Sequence, residues 1–244
     1  MPVISPDTCA AAVVSLGVDP AVAHRAAPLL ARFVDELHRG NDRFGLIGRE
    51  DAADPTRLLE RHVLDSLGPW RVVGDLMAVS GRRRLYDLGS GPGLPGIPLA
   101  LVIPDLVETV LVERRGKRVS FLLGVVPVLR RTAREAGWPE GTPAIRVVEA
   151  DATQLRGREA GRTDEAVVVF RAYQQTSLSL AADLSRTFGP GTPVCALKGR
   201  HDQAHREVDL LAASPHATEV RVEELPAGAG GEERSVLVWT TGSA

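Results

Sequence analysis

The stretch that decides the fold is DLGSGPGLPGIPL, which runs from Asp87 to Leu99. Three glycines, Gly89, Gly91 and Gly93, alternate with other residues directly behind the predicted strand 84–88. Glycine permits a tight turn from a strand into a helix and lets the backbone approach a ligand closely. A tight turn without any ligand needs the same glycines. The stretch therefore predicts a strand, a turn and a helix, and its neighbours must decide whether a ligand binds there.

Acidic residues follow three consecutive predicted strands. Asp87 ends the first strand, where its carboxylate can accept a hydrogen bond from a ligand amine or order the glycine loop. Glu113 ends the second, at a spacing from the loop that suits a contact with ribose hydroxyls. Asp151 follows the third, where it can face an adenine amino group. Because parallel strands bind ligands at their carboxyl ends, the three acids predict a nucleoside ligand.

Two prolines within the glycine loop bear on which nucleoside binds. Pro92 and Pro95 lack the backbone N–H groups that a pyrophosphate needs. A dinucleotide is therefore disfavoured. S-adenosylmethionine carries a nucleoside but no phosphate, so it fits this loop better.

Strands and helices alternate from residue 84 to the C-terminus, which predicts an α/β fold with helices on both faces of the sheet. The predicted strands are Arg84–Leu88, Thr109–Val112, Ala144–Val148, Ala166–Phe170, Thr192–Lys198, Thr218–Glu223 and Ser235–Thr240. The helices between them are expected after Leu94 and at Lys117–Ala136, Gln175–Phe188 and His201–Leu211. The last two strands are expected to pair antiparallel at one edge. We predict a Rossmann-like, doubly wound, mainly parallel seven-stranded sheet.

Residues 6–79 show apolar positions at helical spacing and predict a helical extension. The expected domains are therefore a helical cap over residues 1–80 and a cofactor-binding domain over residues 81–244. Within the cap, His62, Asp65 and Ser66 lie at spacings that place them on one helical face. We expect this face to close over the cofactor, although a helix-docking role fits the spacing nearly as well.

The composition limits the partners and the location. Lys and Arg number 29 against 31 Asp and Glu, so any phosphate binding must come from local basic clusters rather than from the net charge of -2. Cys9 and Cys195 are too few for a disulfide framework, and we predict no metal site. No signal peptide or membrane-spanning segment is expected, and a cytoplasmic monomer is the expectation.

Further motifs resemble one known family. Alongside Asp87–Leu99, these are Arg61–Leu67 (RHVLDSL), the E-x-x-x-K-R-x-x-F-L pattern that begins at Glu113, Arg171-Ala172, and Leu197-Lys198-Gly199. They are similar to motifs of the bacterial 16S ribosomal RNA guanine-N7 methyltransferases, called RsmG or GidB. The chain departs from the N-L-T, S-R-A and R-A-E motifs of that family at residues 45–47, 170 and 151–153.

The resemblance implies an S-adenosylmethionine-dependent methyltransferase that acts on a guanine N7 of 16S ribosomal RNA, either free or within the small subunit. This acceptor needs no general base, because the N7 lone pair carries no proton. The departures favour an alternative, a relative that methylates a small molecule. A third possibility, a binding protein without turnover, predicts cofactor binding without transfer.

Site residues follow from these motifs and from the ends of the predicted strands. Arg171 and Lys198 are the predicted catalytic residues, since they stand where the acceptor must lie and can contact it or a phosphate. Tyr173 is a candidate for stacking on a base, or simply for packing. The predicted cofactor-binding residues are Asp87, Gly89, Ser90, Gly91, Gly93, Leu94, Glu113, Asp151, Ala152 and Arg171, with His62, Asp65 and Ser66 from the cap.

Overall fold

The computed structural model describes residues 4–155, 163–226 and 231–243. Its first third is helical, as predicted. The helices are α1 (Pro6–Ser15), α2 (Pro20–Phe44), α3 (Arg49–Ala52), α4 (Pro55–Leu58), a π-helical segment (Leu59–Leu64), α5 (Asp65–Leu67) and α6 (Trp70–Ser80). In the described part of the chain, none of the helices combines the length and apolar character that crossing a bilayer requires.

Helix α2 shows how sequence sets the ends and the buried face of a helix. Asp19 caps its start by accepting hydrogen bonds from the backbone N–H groups of Ala21 and Val22. Gly45, with φ of 61°, ends it in the left-handed conformation. Its apolar stripe is fully buried, as the periodicity predicted: Leu29, Leu30, Phe33, Val34 and Leu37. At its C-terminal end, Phe44 packs edge-on against Phe121, which lies outside the helical cap, with ring centroids 5.8 Å apart.

The segment around the RHVLDSL motif differs from the regular helix that the spacing predicted. Its Leu59–Leu64 turn is π-helical, so hydrogen bonds there span one residue more than in an α-helix. This wider turn rotates the residues that follow it relative to those before. Turns of this kind occur often at functional sites.

The sheet has seven strands in the described residues, and the fold prediction is confirmed. The strands are β1 (Arg84–Leu88), β2 (Glu108–Glu113), β3 (Ile145–Glu149), β4 (Ala166–Arg171), β5 (Pro193–Lys198), β6 (Ala217–Leu225) and β7 (Arg234–Thr241). Their order is β3-β2-β1-β4-β5-β7-β6. Strands β1 to β5 are parallel, and β7 pairs antiparallel with both β5 and β6. Because β2 and β4 flank β1, the chain reverses its winding direction there, and such switch points bind ligands.

In the described residues, four helices connect or cover the strands: α7 (Gly96–Val102), α8 (Gly116–Glu135), α9 (Leu178–Phe188) and α10 (His201–Ala212). Short 3-10 turns lie at Ala152–Gln154 and Thr163–Glu165. The helix expected from Gln175 begins only at Leu178, because Ser177 caps it by accepting the N–H of Leu180 at 3.1 Å. The chain between β4 and α9 is therefore a longer loop than the sequence predicted.

The core has two parts, one on each face of the sheet. One cluster joins α2 residues such as Phe33 with Leu122 of α8 and with Leu85 and Val169 of the sheet. The other gathers Tyr86, Phe170, Phe188 and Trp239 on the opposite face. The boundary that we propose near residue 80 coincides with the end of α6, while the first cluster continues across it.

Candidate active site

The glycine loop is a closed turn in which three glycines adopt left-handed backbone angles. Gly89, Gly91 and Gly93 have φ values of 65°, 56° and 98°. The N–H of Gly93 and that of Leu94 both donate to the carbonyl of Ser90, at 2.8 and 3.0 Å. Residues with side chains rarely adopt these angles, so the glycines are required by the turn itself.

Asp87, at the end of β1, stabilises this loop through its carboxylate and is fully buried. Its Oδ2 accepts the backbone N–H of Gly96 at 2.8 Å, which fixes the start of α7. Its Oδ1 has no hydrogen-bond partner among the residues that the structure describes. Burial raises the pKa of this carboxyl to about 7, against the lowering effects of the Gly96 bond and the Arg171 charge. Asp87 thus orders the loop with one oxygen and leaves the other able to accept a donor.

Glu113 binds the other side of the loop. Its Oε2 accepts the N–H of Gly91 at 2.9 Å, and its Oε1 accepts the N–H groups of Arg114 and Arg115 at 2.9 and 2.8 Å. The Arg118 guanidinium lies 3.8 Å away. The carboxylate therefore joins β2, the loop and the start of α8. A carboxylate offers about four acceptor positions, so capacity remains for a ribose hydroxyl, and that role stays a prediction.

Asp151 caps the short turn after β3. Its Oδ1 accepts both the N–H and the hydroxyl of Thr153, at 3.1 and 2.8 Å, and its Oδ2 pairs with Arg114 at 3.2 Å. The Thr153 hydroxyl, as the largest effect, holds the pKa of Asp151 below its usual range. A cavity of about 350 Å³ opens between these acids and the loop. Its lining, which we call the loop cavity, includes Gly89, Glu113, Arg114, Asp151, Ala152 and Tyr173.

Tyr173 lies across this cavity. Its ring contacts Gly89 and packs edge-on against Phe170, with centroids 5.9 Å apart. Burial, assisted by the negative charge of Asp151, raises the pKa of Tyr173 to about 12. The residue before it, Ala172, has φ of 50°, which is uncommon for a residue with a side chain.

Arg171 is held by the cap. Its Nη1 donates to Asp65 Oδ2 at 3.1 Å and to the carbonyl of His62 at 3.5 Å. The same Asp65 carboxylate also accepts a hydrogen bond from Arg234 of β7. His62 is itself fixed by Asp51, which lies 3.0 Å from its Nε2, while its Nδ1 faces Arg171. Desolvation lowers the pKa of His62, which favours the neutral ring with its proton on Nε2.

Lys198 is engaged more fully than the sequence indicated. Its Nζ lies 2.6 Å from Glu207 and 2.8 Å from the hydroxyl of Thr176. Both charged side chains are nearly buried, with 9% and 7% exposure. Lys198 therefore reaches a phosphate only if this ion pair rearranges, and its catalytic role stays a prediction.

A second cavity, of about 720 Å³, lies at the ends of β4, β5 and β7. Three basic residues line what we call the cationic cavity: Arg171, Lys198 and Arg234. Ala172 and Gln174 line both cavities, so the two are adjacent. Adjacent pockets suit the transfer of a group from one bound molecule to another.

Some of the predicted site residues line one of these two cavities, and the others lie outside both linings. Among the cofactor-binding predictions, Gly89, Glu113, Asp151 and Ala152 line the loop cavity, whereas Asp65 and Arg171 line the cationic one. Ser66 lies elsewhere, since it is fully buried and its hydroxyl donates to the carbonyl of His62 at 2.6 Å. The remaining loop residues, including Ser90, Gly91, Gly93 and Leu94, shape the turn beside the loop cavity.

Sequence reasoning missed Arg234. The available signal is topological: Ser235 pairs with Lys198, so the first residues of the antiparallel β7 lie at the edge where the parallel strands end.

Comparison with known proteins adds independent information. The family model GidB, described as rRNA small subunit methyltransferase G, matches residues 26–236. A protein of Stenotrophomonas maltophilia strain K279a, "Ribosomal RNA small subunit methyltransferase G", is 35% identical over 228 residues, which cover 92% of this chain and 90% of the relative. The protein of the same name from Xanthomonas campestris pv. campestris strain 8004 is 34% identical over 237 residues, or 96% of each chain.

Solved structures share the fold at low sequence identity. An O-methyltransferase from Bacillus cereus, crystallised with SAH, has a TM-score of 0.54 at 13% identity and covers 86% of this chain and 90% of its own. A SAM-dependent methyltransferase from Aquifex aeolicus has a TM-score of 0.51 at 12% identity, with coverage of 78% and 95%. These similarities concern the architecture alone.

Proposed function

Since the chain belongs to the GidB family of small-subunit rRNA methyltransferases, we propose that it transfers a methyl group from S-adenosylmethionine to the N7 atom of a guanine in 16S ribosomal RNA. The observation that carries the proposal is the contact between the two cavities at Ala172 and Gln174. A donor in the loop cavity and an acceptor in the cationic cavity would meet there.

The loop cavity, together with two buried groups of the neighbouring loop, fits S-adenosylmethionine by the chemistry of the polar atoms. Asp87 Oδ1 and the hydroxyl of Ser90 are buried and lack hydrogen-bond partners in the described structure, and a ligand that carries an amine can supply donors to such groups. Asp151 and Glu113 stand where we place the adenosine, and no phosphate has to be accommodated. The cofactor supplies a methyl group made electrophilic by its sulfonium.

The protein contributes position rather than proton transfer. Methyl transfer from a sulfonium is an in-line displacement, so holding the two reacting atoms in line is the main source of acceleration. Guanine N7 presents an in-plane lone pair and loses no proton, and this chemistry agrees with a cavity whose ionisable groups are chiefly cations. In this proposal Arg171, oriented by Asp65, contacts the acceptor nucleotide.

Local positive charge supports an RNA acceptor despite the net charge of -2. Arg114, Arg115 and Arg118 line the loop cavity, and Lys117 stands exposed beside them at the start of α8. Contacts between such side chains and phosphates give RNA binding much of its strength and its dependence on salt.

The test is transfer of labelled methyl groups to purified small ribosomal subunits that lack the modification, followed by nucleoside analysis. We expect label in 7-methylguanosine, and a strong loss of label with Arg171→Lys, because the shorter ammonium cannot keep the same contacts with Asp65 and the His62 carbonyl. Arg83→Lys, at the opposite edge of the sheet, is the matched control. Label in another nucleoside would exclude N7, and cofactor binding without label in either the subunits or free 16S RNA would exclude a 16S RNA acceptor.

A further inference from the structure

The aromatic ring of Tyr173 occupies the space directly over the backbone of Gly89. A Cβ atom built on Gly89 would lie 3.1 Å from Cγ and 3.2 Å from Cε2 of that ring, and closer still to Cδ2. Glycine at the start of such a loop normally leaves this face open, so that a ligand can approach the backbone. Here a side chain of the same protein covers it.

Two features accompany this position of the ring. Phe170 packs against it edge-on, and Ala172, directly before it, has an uncommon positive φ of 50°. A backbone angle of this kind persists only where the surrounding contacts enforce it. Tyr173 is only half-buried and packs at the margin of the core on that face, so part of its ring faces solvent.

The size of the loop cavity agrees with a partly filled site. Its volume is about 350 Å³, close to the lower limit of the roughly 300–1,000 Å³ that ligand pockets span. Asp151, one of the acids assigned to the adenosine, is close enough to Tyr173 that its charge, after burial, is the main effect that raises the pKa of the Tyr173 hydroxyl.

We propose that Tyr173 closes the loop cavity and competes with S-adenosylmethionine for the surface of Gly89. The inference rests on the proposed function, because it takes the loop cavity to be the cofactor site. Binding then requires the ring to leave, and the measured affinity is the intrinsic affinity reduced by the fraction of molecules in the open state. A variant without the ring should therefore bind with the full intrinsic affinity.

The experiment measures binding of S-adenosylhomocysteine to the full-length protein by calorimetry and stopped-flow fluorescence, so it does not depend on turnover. We expect Tyr173→Ala to bind about tenfold more tightly and with a faster association rate. Tyr173→Phe keeps the ring and loses only the hydroxyl, so it should bind closer to the parent than Tyr173→Ala does. Leu178→Ala, an exposed residue after the same loop, is the matched control and should bind like the parent.

The outcomes test the closure by Tyr173 separately from the proposed function. Weaker or unchanged binding by a folded Tyr173→Ala variant would overturn the closure, because the ring would then be a wall of the site rather than an occupant. If the parent protein itself failed to bind S-adenosylhomocysteine, the proposed function would fall and the closure with it. Thermal unfolding of each variant establishes that the binding data come from folded protein.

Discussion

Cofactor affinity should rise with pH through neutrality, because Asp87 must ionise to receive a cationic amine. Its folded pKa is raised to about 7, chiefly by burial. At pH 6 about one-tenth of such a group is ionised, and at pH 8 about nine-tenths. If binding requires the carboxylate, the dissociation constant for S-adenosylhomocysteine should be about tenfold higher at pH 6 than at pH 8.

The assay is calorimetric titration at half-unit intervals from pH 5.5 to 8. Repeating it at pH 6 in two buffers of different ionisation enthalpy counts the protons released on binding, which we expect to approach one. Asp87→Asn is the matched control: its amide oxygen can still accept the N–H of Gly96, but it cannot ionise. The variant should bind more weakly at pH 8 and lose most of the slope. An affinity in the parent that stays flat across this range, or an equal slope in the variant, would refute the reasoning.

The raised pKa of Asp87 also makes the stability of the ligand-free protein depend on pH, in the opposite direction to cofactor affinity. The folded state holds its Asp87 proton up to about pH 7, whereas the ordinary carboxyl loses it near 3.8. Between these values the folded state binds more protons than the unfolded state, so this group's contribution to stability falls as pH rises. Asp87→Asn should abolish that contribution, which chemical denaturation at pH 5 and pH 8 can measure.

Three further predictions concern stability and reactivity. Gly93→Ala should lower the free energy of unfolding by several kcal/mol, because the φ of 98° and the crowded surroundings of Gly93 exclude a Cβ. Gly124→Ala, in an open part of α8, should instead raise it by about 0.5–1 kcal/mol. Equal denaturation midpoints for the two variants would contradict this. Glu207→Leu should lower the free energy of unfolding by about 3–5 kcal/mol, because it leaves Lys198 buried without its ion-pair partner. In a double-mutant cycle, adding Lys198→Met should recover part of that loss. Cys195, whose pKa burial raises to about 12, should resist iodoacetamide until the protein unfolds, and prompt labelling of the native protein would disprove its burial.

The local parts of the fold and site were predictable because their causes lie close together in the chain. The Asp87–Leu99 stretch carries its own turn chemistry, since left-handed angles at alternate positions require glycine. The apolar stripe of α2 follows from helical spacing alone. The acids at the ends of β1, β2 and β3 follow from the rule that parallel strands end at one edge.

The parts that sequence could not supply depend on contacts between distant segments. The pairing of Asp65 with both Arg171 and Arg234 joins the cap to two strands, and no local pattern records it. The π-helical turn at Leu59–Leu64 differs from an α-helix by one residue per hydrogen bond, which the hydrophobic period does not register. Likewise, Ala172 adopts a left-handed backbone although it is not a glycine. The sequence therefore did not indicate that Tyr173 would lie on Gly89.

The core shared by the cap and the sheet has a consequence for biosynthesis. Helix α2 is translated before α8, so Phe44 has no Phe121 to pack against until that residue is made about 4–15 s later, at roughly 5–20 residues per second. Throughout that interval the apolar stripe of α2 lacks its partners in α8 and in the sheet and has only the other N-terminal helices to pack against. The N-terminal third is thus the part of the nascent chain most exposed to misassociation, and a fragment that stops before α8 should aggregate rather than fold.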